Sequence, residues 1–151
     1  MSSSASPTST PSGGGPTAVP LERSTGELFL EVADDLRALF GRICDELGLT
    51  PMEATTLRHA ARHRHQAAIV EALELTATRV SALLGVLERK GLLTRTKARG
   101  DYRQRIVTLT AQGDVAMETL NARLERESPL LRRLDDPQRA TLHALLVTLR
   151  S

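Results

Sequence analysis

The sequence predicts a mainly α-helical fold that carries one small β-wing, a two-stranded ribbon. Apolar residues recur at spacings of three and four over most of 26–149, the period of helices that bury one stripe. The helical runs are separated by start and stop residues: Gly48, Thr50-Pro51, Thr76, Gly91, Thr110 and Asp136-Pro137. Two short alternating segments, 92–95 and 105–109, flank a turn at Ala98-Arg99-Gly100-Asp101. Composition agrees with helices. The chain is 40% hydrophobic, and Phe29, Phe40 and Tyr102 are its only aromatics, too few for a sandwich or barrel core.

A chain of 151 residues supports one domain with a real core. Its net charge of +2 does not by itself announce a nucleic-acid binder, so the distribution of charge must decide. A single cysteine, Cys44, excludes an internal disulfide framework and fits a reducing compartment. No apolar run approaches bilayer length and no secretory signal is visible, so a cytoplasmic protein without a membrane partner is expected.

Residues 1–25 are Ser, Thr, Pro and Gly with almost no large apolar side chain, which predicts a disordered tail. From 26 to 47, Leu28, Val32, Leu36, Leu39, Ile43 and Leu47 draw one stripe along a helix, and Phe29, Ala33, Phe40 and Cys44 a second beside it. So wide an apolar face, on a helix about 33 Å long at 1.5 Å per residue, suggests contact with a partner subunit. Gly48 ends it. Thr50 caps the next helix, with Pro51 at its first position and Glu53 completing a capping box. That helix carries Leu57, Ala60 and Ala61 into a basic run containing His59, His63 and His65. A short helix over 66–75 is anchored by Ile69, Val70 and Leu73.

Thr76 then caps a helix over 76–90. Val80, Leu83, Leu84 and Leu87 stand at i, i+3, i+4 and i+7 and face inward, leaving Thr78, Arg79, Ser81 and Ala82 off the stripe. After the ribbon, Thr110 caps a helix bearing Val115, Ala116, Met117, Leu120 and Leu124, and Pro129 marks its end or a kink near its end. Asp136 caps the last helix, whose stripe is Leu142, Leu145, Leu146 and Leu149.

The pair 66–75 and 76–90 fits a helix-turn-helix: a short helix, a tight turn, and a second helix whose first turns expose only small, polar or arginine side chains. Bulky residues there would hold a helix out of the major groove of DNA. Arg79 could pair bidentately with guanine, and the hydroxyls of Thr78 and Ser81 reach phosphates or base edges. An ordinary helical hairpin with a solvated polar face would read similarly, and the ribbon shifts the balance. Arg95, Lys97, Arg99, Arg103 and Arg105 fall within eleven positions, opposed only by Asp101, more cations than an edge strand needs against aggregation. They would neutralise phosphates, with Arg99 at the tip suited to a narrow minor groove. Asp101 suits a different role, holding Arg103 or Arg95 in place.

These segments together resemble the MarR family of winged-helix transcriptional regulators. The residues that carry the resemblance are Leu49-Thr50-Pro51, Ile69-Val70, Leu75-Thr76-Ala77-Thr78-Arg79-Val80-Ser81, and Leu87-Glu88-Arg89-Lys90-Gly91-Leu92-Leu93-Thr94-Arg95. The wing adds Asp101-Tyr102-Arg103 and Val107-Thr108-Leu109-Thr110-Ala111-Gln112-Gly113. The resemblance covers about 26–151. It implies a homodimer whose first and last helices intertwine, and two winged helices set for a pseudo-palindromic site. It also implies control by small molecules, often phenolic or lipophilic, bound between the dimer helices and the DNA-binding lobe. Tyr102 departs from it by standing where the family's wing usually has an arginine, and Gly85 by interrupting the recognition helix.

His59 and His63 stand at i, i+4 and could share a metal, but no cysteine or carboxylate accompanies them and Arg58, Arg62 and Arg64 oppose a cation. No metal or cofactor is therefore expected. Cys44 reads as a buried, inert thiol, since only Arg42 nearby would lower its pKa. Nothing resembles a catalytic triad, a paired-carboxylate site or a phosphate-binding glycine loop, so no enzyme is expected. The organisation expected is a winged helix-turn-helix at 49–110 and a dimerisation region at 26–48 and 111–151. A homodimer on double-stranded DNA, probed by Thr76, Thr78, Arg79, Ser81 and Ala82 and by the wing, follows; an architectural DNA-binding protein without an effector is the alternative.

Overall fold

The computed structural model describes residues 1–2 and 22–151, apart from the side chains of Tyr102 and Arg103. Most of the tail expected at 1–25 therefore lies outside the described residues. Among the described residues, six α-helices and one two-stranded antiparallel sheet follow in the order α1 (Thr25–Glu46), α2 (Pro51–Arg62), α3 (Gln66–Leu73), α4 (Ala77–Arg89), β1 (Leu93–Ala98), β2 (Asp101–Leu109), α5 (Ala111–Glu127) and α6 (Asp136–Arg150), with a 3-10 turn at Leu131–Arg133 before α6. A mainly helical fold with a small wing is what the periodicities predict.

Local chemistry sets most of the boundaries. Ser24 opens α1 with a capping box: its hydroxyl accepts from Glu27 N at 3.2 Å and its own N–H donates to the Glu27 carboxylate at 2.8 Å. The Thr50–Glu53 box opens α2 in the same way, and Thr76 caps α4 by accepting from Arg79 N at 3.3 Å. Gly48 and Gly91 end α1 and α4 at φ of 70° and 75°, a left-handed conformation that glycine adopts without a Cβ penalty. Boundaries differ from expectation in the ribbon, where β1 runs on to Ala98 and β2 starts at Asp101 because the pairing continues to the turn, and at two helices. α3 stops at Leu73 rather than residue 75 because Glu74 turns left-handed at φ 53°. The cap of α6 is Asp135, not Asp136, with Gln138 completing its box.

β1 and β2 pair in the register Leu93↔Leu109 through Lys97↔Arg105, with an irregularity before Ala98↔Asp101. The ribbon is anchored at its base by a third segment: Val107 N donates to Arg64 O at 2.9 Å, and His65 bridges Ile106. Between α2, α3, α4 and the ribbon sits the core, where Leu57, Ile69, Val80, Leu84, Leu87, Leu93 and Val107 are buried. Ile43 and Cys44 from α1 and Leu120 from α5 extend it. The terminal helices behave differently. α6 has no buried residue, and Leu28, Phe29 and Leu30 at the start of α1, with Leu145, Val147 and Leu149 on α6, remain exposed. Among the described residues no helix is long and apolar enough to cross a membrane.

Candidate nucleic-acid interface

Thr76 caps α4, so the first turn of that helix starts abruptly and its side chains stand clear. Thr76, Thr78, Arg79 and Ala82 are exposed and Ser81 is half-buried, while Val80, Leu84 and Leu87 hold the opposite face in the core. The helical period thus delivers the expected row of small, polar and arginine side chains to one surface. Beside it the wing projects Lys97, Arg99, Asp101 and Arg105, all exposed. Lys97 and Arg105 stand directly opposite each other in the sheet register, a pairing of like charges that a sheet disfavours for its own stability. Gly100, at φ 86°, makes the tight turn at the tip. The side chain of Arg103 is outside the described residues.

Arg95 is placed differently from the other wing cations. Its Nε donates to Glu88 Oε2 at 3.0 Å, its backbone N–H donates to Glu88 Oε1 at 3.0 Å, and Nη1 reaches the Ser81 hydroxyl and carbonyl oxygen at 3.3 Å each. Only 18% of its side chain is exposed. The guanidinium, hydrogen-bonded to Glu88, holds that carboxyl below the usual range, as does the Arg95 backbone N–H. Arg95 therefore ties β1 to α4, and the carboxylate that holds it is that of Glu88, where the sequence suggested Asp101. Sequence periodicity did not reveal this, because the contact depends on how the ribbon folds back over the helix.

Two further α4 residues belong to this surface and were not singled out as contacts. Gly85 is buried beneath the guanidinium ends of Arg89 and Arg95, and a Cβ built there would lie 3.6 Å and 3.5 Å from them. Arg89 itself is exposed and borders the groove between α4 and β1. The only advance signal was the glycine inside a helix.

Lys90 links this lobe to the terminal helices. Its ammonium donates to Glu53 at 2.6 Å and to Gly48 O at 2.8 Å, joining the end of α4 to the α1–α2 turn. On the far side of α2, the rings of His59 and His63 stack 6.0 Å apart at 10°. Burial lowers the pKa of His59, reinforced by Arg58, His63, Arg62 and Arg150. Among the described residues no group of three or more His, Cys, Asp or Glu is placed to hold a metal ion. Cys44 is fully buried, and burial pushes its thiol pKa up.

The MarR family model matches residues 47–104, the span from the α1–α2 turn into β2. Solved structures extend the likeness to the terminal helices. A mutant of MepR from S. aureus, bound to an oligodeoxyribonucleotide, is 26% identical with a TM-score of 0.62 over 85% of this chain and 96% of that one. Over that span the chain is similar to the MarR family. A second MepR mutant, from a multidrug resistant S. aureus clinical isolate, is 25% identical with a TM-score of 0.71 over 85% of this chain and 96% of that one. Wild-type MarR from E. coli in its apo form, at 21% identity, shares the fold over 84% of this chain and 96% of its own, with a TM-score of 0.67. No curated protein matches the sequence. The mainly helical fold with one two-stranded antiparallel wing, here the β1–β2 ribbon, is shared with these winged-helix structures.

Proposed function

We propose that this chain is a MarR-type regulator of transcription, cytoplasmic, homodimeric and sequence-specific, a repressor that leaves its operator when a small effector binds. The observation that carries this is the adjacency of the exposed α4 row to a cation-bearing wing on one surface. Thr78, Arg79, Ser81 and Ala82 enter the major groove, where Arg79 pairs with guanine and the small side chains admit the helix backbone. Thr76 lies at the helix N-terminus, whose N–H groups suit a phosphate. Lys97, Arg99, Arg103 and Arg105 neutralise phosphates, and Arg99 reaches the minor groove. Arg95 positions the wing on α4, and Asp101 steadies the wing cations beside it. The DNA-bound MepR relative favours the same use of this lobe.

The apolar faces left exposed on α1 and α6 supply the dimer interface, so 26–48 and 111–151 form the dimerisation region around the winged helix at 49–110. Two α4 helices related by a dyad then read half-sites about one helical turn apart. An effector seated between dimer helices and DNA-binding lobe acts only through differential affinity for the two arrangements, and the Lys90–Glu53–Gly48 link lies on that path.

Selection of bound duplexes from a random pool tests all of this at once. An inverted repeat with half-sites one turn apart is expected. Even recovery of unrelated sequences would favour an architectural protein without an effector. No retained DNA at low salt would overturn DNA binding altogether.

A further inference from the structure

The groove between α4 and β1 has features that base reading by Arg79 does not use. Ser81, Gly85 and Arg89 follow one another at i+4 intervals along α4, with Ala82 in the adjoining row, and together with Arg95 and Gln66 they border a groove of about 710 Å³. A helix interior disfavours glycine. Gly85 has helical backbone geometry, and a Cβ there would make only ordinary contacts at 3.5 and 3.6 Å, so neither the backbone nor the packing of the free protein demands a glycine. What the missing side chain leaves is space beneath the guanidinium ends of Arg89 and Arg95, at the floor of the groove.

The charge in that space is uneven. The guanidinium of Arg95 is engaged by Glu88 and Ser81. Arg89, folded back so that its Nη1 lies beside Gly85, makes no hydrogen bond or ion pair among the described residues. Two guanidiniums against one carboxylate leave a single uncompensated positive charge over a floor with no side chain. A phosphodiester fits both features: one negative charge for Arg89, and a sugar–phosphate strand thick enough to need the depth that Gly85 provides.

We infer that this groove seats one strand of the bound duplex, with Gly85 as its floor and Arg89 as a phosphate contact. The inference rests on the proposed DNA-binding function and adds a second, sequence-independent grip on the helix that reads sequence. Arg79, which does not border the groove, keeps the base-reading role.

The test measures affinity of the full chain for a pool-selected duplex and for an unrelated duplex over a salt series, and the melting temperature of each variant. Gly85→Ala is expected to melt no lower than the wild type yet bind both duplexes at least about five-fold more weakly, because filling the floor displaces a backbone contact. Arg89→Ala is expected to weaken both duplexes alike, by about ten-fold, and to reduce the slope of log affinity against log salt by about one. Arg89→Lys, which keeps the charge, is expected to restore that slope. Three results would overturn the inference while leaving DNA binding intact: both alanine variants binding as the wild type does, Arg89→Ala losing affinity only for the selected duplex, or Gly85→Ala melting lower. Failure of the wild type to bind either duplex at low salt would instead overturn the proposed function on which it rests.

Discussion

Arg95 on β1 and Glu88 on α4 form a two-point clasp, in which both the guanidinium and the backbone N–H of one residue donate to the carboxylate of the other at 3.0 Å. The clasp sets the angle between the wing and α4, so its loss should loosen both. Arg95→Ala is expected to cost about 1 kcal/mol, less than is usual for hydrogen bonds to a charged group because Glu88 is partly solvated. Glu88 binds its proton less readily in the folded chain than in the unfolded one. The stability it contributes is therefore present above the ordinary glutamate range and lost as pH falls through the lowered folded value. Thermal melts from neutral to acid pH should show this loss in the wild type and a shallower one in Glu88→Gln; equal slopes would refute the clasp.

Base reading and phosphate grip should separate by mutation. Arg79→Ala is expected to relax sequence preference and cost about 1–3 kcal/mol on the selected site, with little effect on unrelated DNA. Arg99→Ala should weaken all sequences alike and flatten the salt dependence by about one phosphate. Titration of each variant on two duplexes over a salt series checks both. Identical losses on both duplexes from both variants would mean that the roles are wrongly assigned.

What could be read in advance was what depends on near neighbours in sequence. The Thr50–Glu53 box, the Thr76 cap and the Gly91 stop are each decided within three or four residues, and all three stand where expected. The same holds for most of the split of α4 into a buried row and an exposed one, which the helical period fixes, although Leu83, expected to face inward, is half-buried and lies outside the core. The inward turn of Arg95 was not legible, because five similar cations in one stretch differ only in how the ribbon meets α4. Nor was the end of α3, where Glu74 adopts the left-handed conformation without the glycine that usually announces it. Asp135 and Asp136 could both cap, and only the backbone at 135 settles which one does.

Gly113, by contrast with Gly85, has no room at all. It lies in the first turn of α5, and a Cβ there would overlap the carbonyl oxygen of Leu92 and sit 3.0 Å from its carbon. That carbonyl accepts from Thr110 N at 3.0 Å, so the approach joins the base of the wing to the start of α5. Backbone on both sides cannot yield as a side-chain tip would. Gly113→Ala is expected to destabilise the fold by about 3 kcal/mol, at the upper end of overpacking costs. Chemical denaturation measures this, and a loss below about 1 kcal/mol would show that the two segments are free to separate.

His59 should make the fold sensitive to mild acid. Its Nδ1 is buried without a hydrogen-bond partner, and the groups around it are the stacked His63 and the cations Arg58, Arg62 and Arg150. Burial first, and those charges second, lower its pKa from the ordinary 6.5. The unfolded chain therefore takes up this proton at a higher pH than the folded one. Stability is full above about pH 6.5, the ordinary histidine value, and falls as pH drops through the folded pKa. Melting temperatures between pH 7.5 and 5.5 should decline in the wild type and decline less in His59→Gln. A variant that keeps the full decline would place the effect on another group.

The last helix should be dispensable for folding and indispensable for the dimer. α6 buries no residue within its own chain, and Leu145, Leu146, Val147 and Leu149 are all exposed on it. So many adjacent apolar side chains are costly to leave in water at about 25 cal/mol per Å² of apolar surface, which is the driving force for covering them with a partner. Truncation before Asp136 removes that surface but leaves the buried contacts of Leu57, Ile69, Leu84, Leu93 and Leu120 in place. The truncated chain is expected to keep its helical circular dichroism and to sediment as a monomer where the full chain sediments as a dimer. Its affinity for the inverted repeat should fall to that of a single half-site. A truncated chain that still dimerises would place the interface on α1 and α5 alone, and one that unfolds would show that α6 supports the core in a way its exposure does not suggest.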